Sequence, residues 1–183
     1  MKSSPVIGVL AAALACAAPE RSPAGPAAAD PADVASIDAI VDALYDVVSG
    51  EAGEARDWDR MRSLFSPVGA RLIPVGPDGR GGHAALFATV DGYIERTAPL
   101  FAEQDFHEME VARRVDRFGQ IAHVFSTYES SHEPDGEPFA RGVNSIQLVH
   151  DGRRWYVVTV LWDAARGDAP PGAREGGDGS LGR

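Results

Sequence analysis

Apolar positions recur at helical spacing early in the chain and alternate with polar ones later, so the sequence predicts helices first and strands after. Between residues 34 and 49, Val34, Ile37, Ile40, Val41, Leu44, Val47 and Val48 form one stripe, and Gly50 stands where the helix should stop. Asp38, Asp42 and Asp46 share another face four residues apart. No histidine accompanies them, so they are expected to be a solvated face and not a metal site. Asp57 is a suitable N-cap for a second, short helix carrying Trp58, Met61, Leu64 and Phe65. Residues 70–75 read as a short strand, Pro77-Asp78-Gly79 as a turn, and 83–88 as the returning partner. Thr89 caps a third helix through Val90, Tyr93, Ile94 and Leu100, which Pro99 is expected to end or kink.

From residue 106 onward, period-two alternation predicts four strands, at 106–117, 120–131, 139–150 and 153–163. Phe118-Gly119 and Asp151-Gly152 stand where tight two-residue hairpin turns belong, and 132–138 is a looser polar loop. The fold class is therefore α+β, with three N-terminal helices packed on a strongly curved antiparallel or mixed sheet over residues 34–165. Residues 166–183, rich in glycine and proline, are expected to form a disordered tail.

The two tight turns set a register, and alternation then sorts the faces. Asn144 is expected opposite Thr159, Ile146 opposite Val157, and Leu148 opposite Trp155. On the other hairpin, Val111 faces Ser126, Met109 faces Tyr128 and Val115 faces Ala122, while pairing Ser131 with Phe139 brings Ser126 beside Asn144. The inner face then runs from a dry end to a polar row and on to a rim of His107, Ser130 and Asp163. Ser126, Tyr128, Asn144, Thr159 and Trp155 are the candidate ligand contacts on this face. Ser126, Asn144 and Thr159 could equally satisfy one another across strands. The candidate catalytic groups are His107 and Asp163 as an acid–base pair, with Asp59 reaching in from the second helix. His123 falls on the opposite, charged face with Arg114 and Glu110. On the outer face, Arg141, Val143, Tyr156, Val158, Val160 and Trp162 are expected to bury a homodimer interface, with Arg141 stacked on Trp162.

Composition narrows the chemistry. The 183 residues suit one domain, and a hydrophobic content of 44% supports a packed core. The net charge of −10 argues against a nucleic-acid partner. Lys2 is the sole lysine, which excludes Schiff-base chemistry, pyridoxal phosphate attachment and a P-loop. Cys16 is the sole cysteine, so the body has no disulfide, thiolate zinc site or cysteine nucleophile. No metal or cofactor is expected.

Residues 1–15 read as a secretory signal, with Lys2 as a short n-region and an apolar run from Val6 to Ala15 too short to span a bilayer. Ala13-Leu14-Ala15-Cys16 resembles a bacterial lipoprotein box, with Ala13 where leucine is usual, and makes Cys16 the candidate lipidation site. The alternative is an Ala-x-Ala cleavage site with Cys16 incidental. The protein is thus expected to be exported, as a cell-envelope lipoprotein touching the membrane only through its anchor, or as a periplasmic or secreted protein. Residues 16–33 are expected to form a flexible tether.

The order of helices, strand pair and four-strand meander resembles the nuclear transport factor 2-like superfamily, the cone-shaped fold shared with ketosteroid isomerase, scytalone dehydratase and SnoaL-type polyketide cyclases. The chain is most similar to SnoaL-like bacterial proteins of unassigned function. The resemblance is carried by the stretches Arg56-Asp57-Trp58-Asp59-Arg60, Val124-Phe125-Ser126-Thr127-Tyr128-Glu129-Ser130 and Arg141-Gly142-Val143-Asn144-Ser145-Ile146-Gln147-Leu148. Asp151-Gly152-Arg153-Arg154-Trp155 and Trp162-Asp163 belong to the same pattern. It implies the fold and no catalytic motif residue by residue. Three functions follow: a non-catalytic binder of a small apolar or mixed-polarity molecule, a lyase, isomerase or hydrolase of the polyketide-cyclase kind, or a protein-binding module. In the second, Tyr128 or Asn144 would hold the developing oxyanion. A cavity of several hundred cubic ångströms favours the first two, and a cone packed with side chains the third.

Overall fold

The computed structural model describes residues 28–165. The expected signal, the expected lipidation site Cys16, most of the expected tether and the expected tail lie outside those residues. The described fold begins ahead of residue 34, because Asp30 caps a one-turn helix, α1 (Pro31–Val34), and Val34 is buried. Ser36 then accepts from the Ala39 amide to open α2 (Ile37–Val48), whose apolar stripe buries Ile40, Val41 and Val47. Asp57 caps α3 (Trp58–Leu64) by accepting from the Arg60 amide. Strands β1 (Arg71–Pro77) and β2 (His83–Ala85) form the short pair, and Thr89 caps α4 (Val90–Glu103). Pro99 does not end this helix, since α4 continues for another turn beyond it.

The meander consists of β3 (His107–Phe118), β4 (Ile121–Ser131), β5 (Ala140–His150) and β6 (Trp155–Ala164). These strands pair antiparallel, while β1 joins β6 in parallel, giving one mixed six-stranded sheet in the order β2-β1-β6-β5-β4-β3. The helices cover its concave face. Ile40, Val41, Met61, Leu64, Val124, Ile146 and Val157 are essentially solvent-free between the layers, each stabilising the fold by about 1.5–3 kcal/mol relative to exposure.

The central pairing matches the expectation, with Ser126 opposite Asn144. Two β-bulges change the rest. Phe118 pairs with Ile121, so the turn is Gly119-Gln120, with Gly119 at φ +55. Farther along β3, Val111 is an extra residue, and a single extra residue moves everything beyond it to the other face. Glu108 and Glu110 therefore pair with Ser130 and Tyr128 on the concave side, and His107 and Met109 turn outward. On the last hairpin, the Asp151 carboxylate accepts from the Arg153 and Arg154 amides, and this cap lengthens the loop so that His150 pairs with Trp155. Val158 is then bulged out. Beyond it Val160 and Trp162 face inward, opposite Ile146 and Asn144, while Thr159 and Leu161 face outward.

Candidate functional site

The mouth of the cone opens onto a cavity of about 340 Å³. Helix α2 contributes Leu44, Tyr45 and Val48, and α4 contributes Tyr93, Thr97, Leu100 and Phe101. Met61, Leu72, Phe106, Ile146, Val160 and Trp162 complete a mostly apolar wall, in which Tyr93 meets Trp162 edge to face at 6.2 Å. Gln104, Asp105, His132 and Phe139 edge the opening, with the His132 imidazole stacked on Phe139 at 4.5 Å. No arginine or lysine among the described residues lines this space.

One ionisable group dominates the interior. Glu108 enters the cavity from β3, and its backbone is fixed to the end of α2: the Ser49 hydroxyl accepts from the Glu108 amide at 3.0 Å, and Gly50 and Phe106 exchange backbone hydrogen bonds. The carboxylate receives only long, neutral hydrogen bonds, from Asn144 Nδ2 at 3.4 Å and from the Ser130 hydroxyl at 3.3 Å. Burial raises its pKa to about 7, against the partial relief of those two donors. Tyr45, Tyr93 and Tyr128 are also pushed up by burial, so all three keep their protons at neutral pH.

Behind Glu108 lies a buried polar chain. Asn144 Nδ2 donates to the Tyr45 oxygen at 3.0 Å, Tyr45 meets the Ser126 hydroxyl at 2.5 Å, and Ser126 donates to Glu110. Arg113 grips Glu110 at 2.7 Å and also bonds Asp38 at 2.5 Å and Asp42 at 2.9 Å. The acidic stripe of α2 is thus held by arginines, with Asp46 paired to Arg60.

No family model matches the chain, and no curated protein does. Solved structures do. A provisionally assigned dehydratase from the nuclear transport factor 2-like family of Streptomyces avermitilis aligns at a TM-score of 0.54 and 16% identity, over 74% of this chain and 97% of that one. A Kribbella flavida protein aligns at 0.53 and 15% identity, over 72% and 90%. A protein of unknown function with a cystatin-like fold from Nostoc punctiforme aligns at 0.51 and 10%, over 69% and 88%. The chain has the nuclear transport factor 2-like fold.

Within that fold the expected site residues are dispersed. Asn144 lines the cavity, Ser126 is wholly buried in the polar chain behind it, and Tyr128 is buried against Gly142. A Cβ at Gly142 would lie 2.5 Å from the Tyr128 hydroxyl, so only glycine admits this ring. Trp155 is buried at the dry end, beneath the Arg117 guanidinium and against His150. Thr159 was expected beside Asn144 but faces outward beyond the Val158 bulge, opposite Gln147.

His107 and Asp163 do not form the expected pair. His107 lies on the outer side of β3, Asp163 is exposed on β6, and the two strands are three spacings apart, roughly 14 Å. Asp59 is on the surface of α3, bonded to Arg62 at 2.8 Å. Of the expected outer patch, Val143, Val158 and Tyr156 stay outside, whereas Val160 and Trp162 are cavity wall. Arg141 bonds Glu129 at 2.6 Å and does not stack on Trp162.

Glu108 is the group that sequence reasoning missed. Strict alternation from the turn puts it outside, and no signal in residues 106–117 marks Val111 as the extra residue. Alternation from the turn also places Arg113 on the inner face, and the bulge brings Glu110 to that face beside it.

Proposed function

We propose that the cone binds a small, uncharged, largely apolar molecule and that Glu108 transfers a proton on it, as in a lyase or isomerase. The observation that carries this reading is the Glu108 carboxyl, set against a mostly apolar wall and held by neutral donors alone. A group that protonates near neutrality serves equally as acid and as base at cellular pH. The cone and its cavity fit a ligand-binding or isomerase-type domain, and an open volume of about 340 Å³ weighs against a closed interaction module. Asn144 and Tyr128 are poor choices for the oxyanion donor, because Asn144 is committed to Tyr45 and Glu108, and Tyr128 lies beneath the wall. Tyr93 lines the cavity with its proton retained and takes that role in this reading. The test is deuterium incorporation into 2-tetralone, a neutral carbon acid of suitable size, followed by proton NMR. The chain should accelerate exchange over buffer, and a rate equal to buffer would overturn the reading for this class.

The outer sheet face supports a homodimer with a revised set of contacts. Phe125, Val143, Val158 and Leu161 lie on it, with Phe125 41% and Leu161 39% exposed. Sedimentation at micromolar concentration should give the mass of two chains, and Phe125→Glu should give one. A monomeric unsubstituted chain would remove the interface. Export, with Cys16 as lipid anchor, completes the proposal and rests on the N-terminal sequence alone.

A further inference from the structure

We propose that Glu110 is a positioning residue for Glu108, fixing through Ser126, Tyr45 and Asn144 the direction of the hydrogen bonds that lead to the cavity carboxylate. The inference rests on Glu108 being the working group of the cavity. Arg113 approaches Glu110 Oε2 from Nε at 2.7 Å and from Nη2 at 2.5 Å, so Glu110 is charged and only accepts. Ser126 has one hydroxyl proton, and it goes to Glu110 Oε1. The contact between Tyr45 and Ser126 could run either way by distance, but with the serine proton spent, Tyr45 must donate. The tyrosine oxygen is then an acceptor, which turns the amide nitrogen of Asn144 toward it. The same nitrogen faces Glu108 Oε1. Ser126 is 0% exposed, and Tyr45 and Asn144 are each 8% exposed, leaving little room for bulk water to compensate a reversed bond.

Glu110→Gln reverses this chain. Arg113 demands an oxygen at the Oε2 position, so the new amide nitrogen takes the Oε1 position and donates to Ser126. Ser126 then donates to Tyr45, and Tyr45 to Asn144, whose Oδ1 must swing to face it. An oxygen replaces a donor beside Glu108, and the ionised form loses support. The midpoint of Glu108 should rise by about one unit or more. Charge alone predicts the opposite, because deleting a nearby negative charge lowers the midpoint of a second carboxyl. The other ionisable groups around Glu108 are Tyr45 on α2, Tyr93 on α4, Tyr128 on β4 with Asp163 near it, and Asp105 and His132 at the mouth. All are the same in both proteins.

The experiment is a pH titration of the full chain labelled with carbon-13 at the glutamate carboxyls, with Glu108 assigned by its loss in Glu108→Gln. An upward shift in Glu110→Gln, abolished in a Tyr45→Phe background, is the expected result. A downward shift or none would overturn the relay. If Glu110→Gln fails to fold by circular dichroism, neutron diffraction from crystals of the unsubstituted chain decides. The Tyr45 hydroxyl proton should point to Ser126, and a proton pointing to Asn144 would overturn the proposal. An unsubstituted midpoint in the ordinary carboxylate range would instead remove Glu108 as acid and base, and the sign of the Glu110→Gln shift would still judge the relay.

Discussion

Glu108→Gln is expected to lower deuterium exchange into 2-tetralone by about 10²–10⁴-fold, the usual contribution of a positioned acid or base, while making the folded domain more stable at alkaline pH. The second effect follows from the same burial as the first. In the unfolded chain the carboxyl ionises near its ordinary value of 4.5, and in the fold it does so at about 7. Between those values the folded state holds a proton that the unfolded state has released, so stability falls as pH rises through the window and stays low above it. The loss is on the order of 3 kcal/mol. Glutamine has nearly the same shape and does not titrate, so the variant should lack this decline. Urea unfolding at about pH 5 and about pH 8 measures it. A variant that keeps the exchange activity would remove Glu108 as the acid and base, and one whose stability declines in parallel with the unsubstituted chain would show that Glu108 is not the source of the decline.

Arg56→Ala should cost about 4 kcal/mol, among the larger effects a single substitution produces. The Arg56 side chain is 3% exposed, and its guanidinium donates to the carbonyls of Val48, Gly50, Glu51 and Glu54 at 2.6–3.1 Å. It closes the C-terminal end of α2 and the loop that follows, and it lies 5.4 Å over the Phe101 ring. Truncation leaves the buried Val48 carbonyl without this donor and frees the half-buried contacts at Gly50, Glu51 and Glu54 together. Arg56→Lys should recover only part of the loss, because an ammonium cannot span the same acceptors as the planar fork. The damage reaches the site: Val48 and Phe101 are cavity wall, and Gly50 holds Phe106 in register with β3. A urea midpoint for Arg56→Ala corresponding to less than about 1 kcal/mol would contradict this account.

The legible parts of the fold are those governed by local chemistry. Asp57, Thr89 and the apolar stripe of α2 announce their helices through capping and period, and Ser126 reaches Asn144 because a long run of alternation links them. The register around the cavity was misread because alternation carries no memory of an inserted residue. One extra residue at Val111 exchanges His107 for Glu108, and one at Val158 exchanges Thr159 for Val160 and Trp162. A bulge bends its strand, and where a sheet must bend is a demand of tertiary packing that a single strand does not display. The role of Arg56 was not legible for a related reason. Its value depends on four carbonyls converging on one point, and no spacing in the sequence records that convergence.

The central claim is that the cone holds one carboxyl that gains and loses a proton near neutral pH inside an apolar cavity. The most direct test is the carbon-13 titration of Glu108 in the unsubstituted chain. A midpoint at about 7 is the predicted result, and a midpoint near the ordinary carboxylate value of 4.5 would contradict it.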